Sequence, residues 1–190
     1  MTTINFVIVE IDEAYKNEVD GVVVNSTIES VQHINRIAKV IEAPDFTILK
    51  SGDEVVVHHN MFRLRNGIKG KKVRSNYHLE GNTYFVPLTE VYMYRRNGSD
   101  WQAIRPFVFI KPVEQETKKE GNVIVNSGES NSYKGRKRLM GTVKYPNDEL
   151  LDMGVNVGDE IIFSYWSEYE FDIDGEILYK MSNKDILAIL

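Results

Sequence analysis

No cysteine occurs among the 190 residues, so disulfides and thiolate-held metals are excluded, as suits a reducing compartment. No stretch reaches the roughly 18 consecutive apolar residues that a membrane-spanning helix requires. Ahead of the first apolar run stand Met1-Thr2-Thr3, without the basic flank of a secretory signal, and the expected location is the cytoplasm. Histidine is scarce. His58 and His59 are neighbours, which a strand points to opposite faces, and His33 and His78 stand apart, a poor basis for a metal site. Neither a nucleophile motif nor a glycine-rich phosphate cradle is present. Asp53-Glu54 and Asp159-Glu160 are paired carboxylates, but adjacent strand residues cannot flank one substrate and read as turn and strand-edge residues. Catalysis is therefore not expected, nor a cofactor. A sustained helical period is absent from every window. The formal net charge of −5 gives no general reason to expect nucleic acid as a partner.

What the chain does have is a duplication. Phe6-Val7 and Val22-Val23-Val24-Asn25-Ser26 return as Phe107-Val108 and Val123-Ile124-Val125-Asn126-Ser127, so Phe6 and Phe107, like Val22 and Val123, stand 101 positions apart. Gly52-Asp53-Glu54-Val55-Val56-Val57 is answered by Gly158-Asp159-Glu160-Ile161-Ile162-Phe163, and Glu80-Gly81 by Asp174-Gly175. Self-similarity at so long a period means two copies of one domain, each of roughly 90 to 95 residues, enough to bury its own core.

Each copy opens on a β-rich apolar run, Ile4 to Ile11 or Phe107 to Val113, and reads as a strand. A long polar segment follows, interrupted once by the aliphatic triplet Val22-Val23-Val24 or Val123-Ile124-Val125. Such a triplet is a loop with an apolar tip or a short buried strand, and spacing alone does not separate the two. Strands are expected at Ile37 to Ile41 and Leu139 to Lys144, after each Gly-Asp pair, and in a closing hairpin turned at Glu80-Gly81 or Asp174-Gly175. The fold class is all-β, two tandem small, partly open barrels. The first spans 1–97 and the second 106–190, with a linker at 98–105 that is entered through the turn residues Asn97-Gly98-Ser99-Asp100 and holds Trp101, expected to pack between the barrels. Val57 to Gly81 spans 24 positions but Phe163 to Gly175 only 12, so the first copy carries an insertion at about 64–75.

Taken in order, the second copy resembles the co-chaperonins of the GroES type, the chaperonin-10 family. The residues that carry the likeness are Val155 to Phe163, Gly175-Glu176-Ile177-Leu178 and Met181 to Ile189. The first copy matches more weakly, through Gly52-Asp53 and Thr89 to Tyr94. The layout is similar to the plastid double co-chaperonin, and a phage-encoded copy or an organelle stroma or matrix would suit it too. In that family a mobile loop carries an aliphatic tripeptide after glycine that docks on a GroEL-type chaperonin. The resemblance implies docking through Gly21, Val22, Val23 and Val24, and through Gly121, Val123, Ile124 and Val125, the latter with one residue inserted after the glycine. It further implies a homo-oligomeric ring, unfolded client proteins beneath it, and ATP or ADP held by the partner rather than by this chain. The hairpin that roofs the family's cavity is short here, since Pro44 to Ser51 and Pro146 to Val157 leave little room.

Three aliphatic side chains on a polar loop suit reversible docking. Each contributes roughly 1.5–3 kcal/mol on burial before the loop's ordering cost, and several loops engaging together multiply that by avidity of about 10² to 10⁴. Two other readings remain. One is an oligomeric scaffold that kept the fold without the partner. The other is a nucleic-acid-binding barrel using the flexible basic insertion, with Arg65, Lys69, Lys71, Lys72 and Arg74, and the aromatic group Phe163, Tyr165, Trp166, Tyr169 and Phe171. For the basic run a solvated loop is the simpler use, and for the aromatics core packing.

Overall fold

The computed structural model describes residues 4–12, 18–19, 22–23, 34–66, 70–114, 119–120, 123–124 and 136–190. They fall into two compact units, Met1–Ile104 and Arg105–Leu190. The first holds β1 (Phe6–Glu10), β2 (Glu18–Val19), β3 (Val22–Val23), β4 (Ile37–Glu42), β5 (Glu54–Val57), β6 (Arg65–Asn66), β7 (Lys72–Val73), β8 (Thr83–Pro87), β9 (Val91–Arg95) and β10 (Gln102–Ala103). Six of these make one antiparallel sheet in the order β10-β9-β5-β4-β1-β8, while β2–β3 and β6–β7 are separate hairpins. The second unit holds β11 (Phe107–Glu114), β12 (Lys119–Glu120), β13 (Val123–Ile124), β14 (Arg136–Tyr145), the helix α1 (Asp148–Asp152), β15 (Glu160–Phe163), β16 (Tyr169–Ile173), β17 (Glu176–Ser182) and β18 (Ile186–Ile189). Its sheet runs β16-β17-β11-β14-β15-β18, with β12–β13 apart.

The duplication holds in detail. The five strands β8-β1-β4-β5-β9 stand in the same order as β17-β11-β14-β15-β18. The register slips between Ile8 and Val9 and again between Phe109 and Ile110, 101 positions on. It slips between Val56 and Val57 as between Ile162 and Phe163. Each slip bends its strand at the same place, and bending of this kind lets a sheet curl. The Gly-Asp pair does the same work twice: Gly52 at φ +92° and Gly158 at φ +94° occupy a backbone region that favours glycine. Their N–H groups donate at 2.8 Å to the carbonyls of Val40 and Val143, whose own N–H groups donate to Asp53 and Asp159 at 2.8 and 2.9 Å.

Within each unit one face of the curled sheet supplies the core. In the first, Val7, Val9, Val40, Val55, Val57, Tyr84, Val86 and Tyr94 bury together with Phe62 and Met61. In the second, Val108, Ile110, Val143, Ile161, Phe163 and Met181 pack with Leu150 and Val155. The five equivalent strands of each unit, β8-β1-β4-β5-β9 and β17-β11-β14-β15-β18, all reach one cluster, so each sheet wraps it as a partly open barrel. No helix among the described residues is long and apolar enough to cross a membrane.

Three local features differ from the sequence reading. A helix does form, α1, because Asn147 caps it: its Oδ1 accepts from the Leu150 N–H at 3.1 Å. The Asn147 amide also donates to the Phe107 carbonyl at 2.6 Å and to Asn183 Oδ1 at 2.7 Å, tying three segments through one buried residue. Residues 98–105 are not a free connection. Gln102↔Tyr94 and Ala103↔Met93 pair β10 to β9, and Trp101 is buried with the Arg95 guanidinium 4.4 Å from its ring centre. The insertion is not simply loop, since β6 and β7 pair through Arg65↔Val73 and Asn66↔Lys72. Between β4 and β5, and between β14 and β15, no strand stands, so neither connection builds a roofing hairpin.

Candidate functional site

The two aliphatic triplets sit at equivalent places, in the connections from β1 to β4 and from β11 to β14, pairs of antiparallel neighbours. In the first, Val22 and Val23 pair with Val19 and Glu18. In the second, Val123 and Ile124 pair with Glu120 and Lys119. Each hairpin is a sheet to itself and adds no rung to the six-stranded sheet of its unit. The triplets thus begin as strands, where the sequence offered a loop tip or a core strand. Gly21, Val24, Gly121 and Val125 lie outside the described residues.

Register resolves the apparent one-residue insertion beside Gly121. Two residues separate the paired partners in both hairpins, Asp20-Gly21 and Gly121-Asn122, combinations that two-residue β-turns favour. The glycine is second in one and first in the other, and Val22 and Val123 keep the same place. Asp20-Gly21 between Val19 and Val22 was a legible hairpin signal that composition alone obscured.

The basic insertion is only partly available for contacts. Arg74 Nη1 bonds His78 Nε2 at 2.6 Å and also donates to the Gly81 carbonyl, which folds it back on its own unit. Ser75 Oγ donates to the Met61 carbonyl, a second anchor. Arg65 and Lys72 are rungs of the β6–β7 pair, Lys71 is exposed, and Lys69 lies outside the described residues. Of the aromatic group, Phe163 and Phe171 are core at 1% exposure each, whereas Tyr165 and Trp166 are exposed.

The paired carboxylates are structural. Asp53 is buried and takes the Arg96 guanidinium on both oxygens, Nε at 2.7 Å and Nη2 at 2.8 Å, and the Lys50 N–H at 2.8 Å. Burial pushes its carboxyl up, but Arg96 and the Lys50 N–H outweigh burial and hold it below the usual range. Glu54 turns away to Arg95. Asp159, its counterpart in the second unit, accepts the Asn156 N–H at 2.7 Å. His58 Nδ1 accepts from the Asn60 N–H at 3.1 Å and caps a short 3₁₀ turn. His59, buried, is pushed down to about 4 by burial first, then by His58, Arg36 and Arg63. Among the described residues no group of three or more His, Asp or Glu is placed to hold a metal ion.

Comparison with known proteins gives the family context. The model of the family described as Chaperonin 10 Kd subunit matches residues 101–190, beginning at Trp101 just ahead of β10. Co-chaperonin GroES of Parvibaculum lavamentivorans is 35% identical over 85 residues, covering 44% of this chain and 81% of that protein. Co-chaperonin GroES of Coprothermobacter proteolyticus is also 35% identical over 85 residues, 44% of this chain and 87% of that protein. Co-chaperonin GroES of Jannaschia sp. is 34% identical over 93 residues, 46% of this chain and 98% of that protein.

Proposed function

Because the chain belongs to the chaperonin-10 family, we propose that it is a co-chaperonin that caps a GroEL-type chaperonin ring and assists ATP-dependent folding without catalysis of its own. The observation that carries this reading is the matched pair of hairpins. Both carry aliphatic residues at the same register, Val22-Val23 and Val123-Ile124, and both stand apart from the sheets that hold the fold together. A hairpin outside the main ladder can change partner without unfolding its barrel. Gly21 to Val24 and Gly121 to Val125 are the proposed contact segments. Nucleotide is held by the chaperonin, clients lie in the enclosed cavity, and the site of action is the cytoplasm.

The test is native mass spectrometry of the chain mixed with a GroEL-type chaperonin and ATP or ADP. A nucleotide-dependent complex is expected. Changing Val22, Val23 and Val24 together to Ser, with Val123, Ile124 and Val125, should abolish it while circular dichroism and melting stay unchanged. Loss of fold in that variant would instead make the triplets core, and a wild-type chain that ignores the chaperonin would turn the reading toward a scaffold.

A further inference from the structure

The net negative charge of the chain conceals one strongly basic segment. Between Glu54 and Glu80 no Asp or Glu occurs, while Arg63, Arg65, Lys69, Lys71, Lys72 and Arg74 all lie there. Of the 23 Lys and Arg in the chain, that leaves 17 elsewhere against 28 Asp and Glu. Like charges gathered on one segment repel one another, and a bound polyanion relieves that repulsion. The segment comprises the insertion and its two shoulders. Its counterpart in the second unit is far shorter, since Val57 to Gly81 spans 24 positions and Phe163 to Gly175 only 12.

The two shoulders enclose a cleft. Asn60, Arg63, Ser75, Asn76 and Tyr77 line a volume of about 250 Å³. On one side, Asn60 belongs to the 3₁₀ turn His59–Met61, which His58 caps, and Met61 and Phe62 anchor that turn in the first core. On the other, the Ser75 hydroxyl donates to the Met61 carbonyl and accepts the Tyr77 N–H at 3.3 Å. The Tyr77 carbonyl accepts the Phe85 N–H at 2.8 Å, and its side chain packs against the same core. Both walls are therefore fixed by the fold before any ligand arrives, which lowers the ordering cost of binding. Arg63 is exposed at the cleft and Lys71 is exposed on the inserted segment.

We infer that this cleft takes one nucleotide of a single-stranded nucleic acid. The base lies against the Tyr77 ring with the Asn60 carboxamide at its edge, the adjoining phosphate meets the Arg63 guanidinium, and the strand continues toward Lys71. An aromatic ring beside cations is how single strands are held, since every base offers a face to stack and the cations follow the phosphates. An acidic protein would use the cations but leave the ring and the carboxamide idle. A duplex keeps its bases stacked and paired, and the two rungs of β6–β7 are too short a ribbon to read its groove. None of these residues belongs to the aliphatic hairpins, so this binding and chaperonin docking can each fail alone.

Fluorescence anisotropy of the full chain with labelled oligouridylate and oligothymidylate tests the site. Binding should weaken as salt rises from about 50 to 200 mM, with a slope of about −1.4 in log K against log salt for two phosphates of a single strand. Arg63→Gln should weaken binding and bring that slope to about −0.7. Tyr77→Leu should weaken it about tenfold with the slope unchanged, and Tyr77→Phe should bind as wild type, because stacking needs the ring and not the hydroxyl. Should Tyr77→Leu melt early, Arg63→Gln still decides, its side chain being exposed. Tighter binding of one oligonucleotide than the other would support the site and identify the preferred sugar. No binding at the lowest salt would overturn the inference, as would an unchanged affinity in Arg63→Gln. A duplex or polyglutamate that competes as well as the single strand would also overturn it, leaving a surface that reads charge alone.

Discussion

His59 departs far from the ordinary behaviour of a histidine. It stands 8% exposed at the start of the 3₁₀ turn His59–Met61, with the His58 ring 4.3 Å away. Its folded value of about 4 lies below the ordinary 6.5. The unfolded chain therefore binds this proton more readily than the folded one, so the group's contribution is complete above 6.5 and is lost as pH falls from 6.5 toward 4. The shift corresponds to about 3 kcal/mol at most. Urea unfolding at pH 7 and at pH 4 should show the first unit weakening on acidification, and His59→Gln should flatten that fall by about 2–3 kcal/mol. An acid limb identical in the variant would assign the loss to other groups. His59 was read from sequence only as a poor metal ligand, because adjacency forecasts direction along a strand and says nothing of burial. Asn147 was missed for a related reason. Asn147-Asp148-Glu149 ahead of Leu150-Leu151 is a helix-start pattern, but a five-residue helix has no period to detect.

At the element scale, β14 leaves no room beside β11 at Gly141. A Cβ on Gly141 would stand 2.4 Å from Ile110 Cδ1 and 3.1 Å from the Lys111 carbonyl oxygen. Ile110 is fully buried, so its displacement disturbs the second core. Gly141→Ala should destabilise the second unit by about 1–3 kcal/mol as overpacking does, read from its denaturant midpoint; an unchanged midpoint would show that Ile110 can turn aside freely. The existence of the strands and their turns was legible, since Gly-Asp and Asp-Gly punctuate alternating apolar runs. The hairpins β2–β3 and β12–β13 were half legible. Their aliphatic residues were conspicuous, but whether a short apolar run is tip, core or free-standing strand depends on what lies opposite it, which period and composition do not encode.

For the whole molecule, two separate cores mean two cooperative units. Hydrogen exchange of the chain in rising urea should therefore show two sub-global openings, with acidification moving only the one in Met1–Ile104 and Gly141→Ala only the one in Arg105–Leu190. One shared opening would mean that the cores unfold together. Duplication, the all-β class, the family and the place of the aliphatic triplets followed from the sequence by itself, because repeated residues and turn chemistry are local and survive in one dimension. The unit boundary did not. Residues 101–104 read as linker, yet β10 pairs with β9, while among the described residues β18 is the end strand of its sheet. Which strand edge is filled depends on backbone hydrogen bonds between residues distant in the chain, and backbone groups are the same whatever the side chain, so only the tertiary structure decided it.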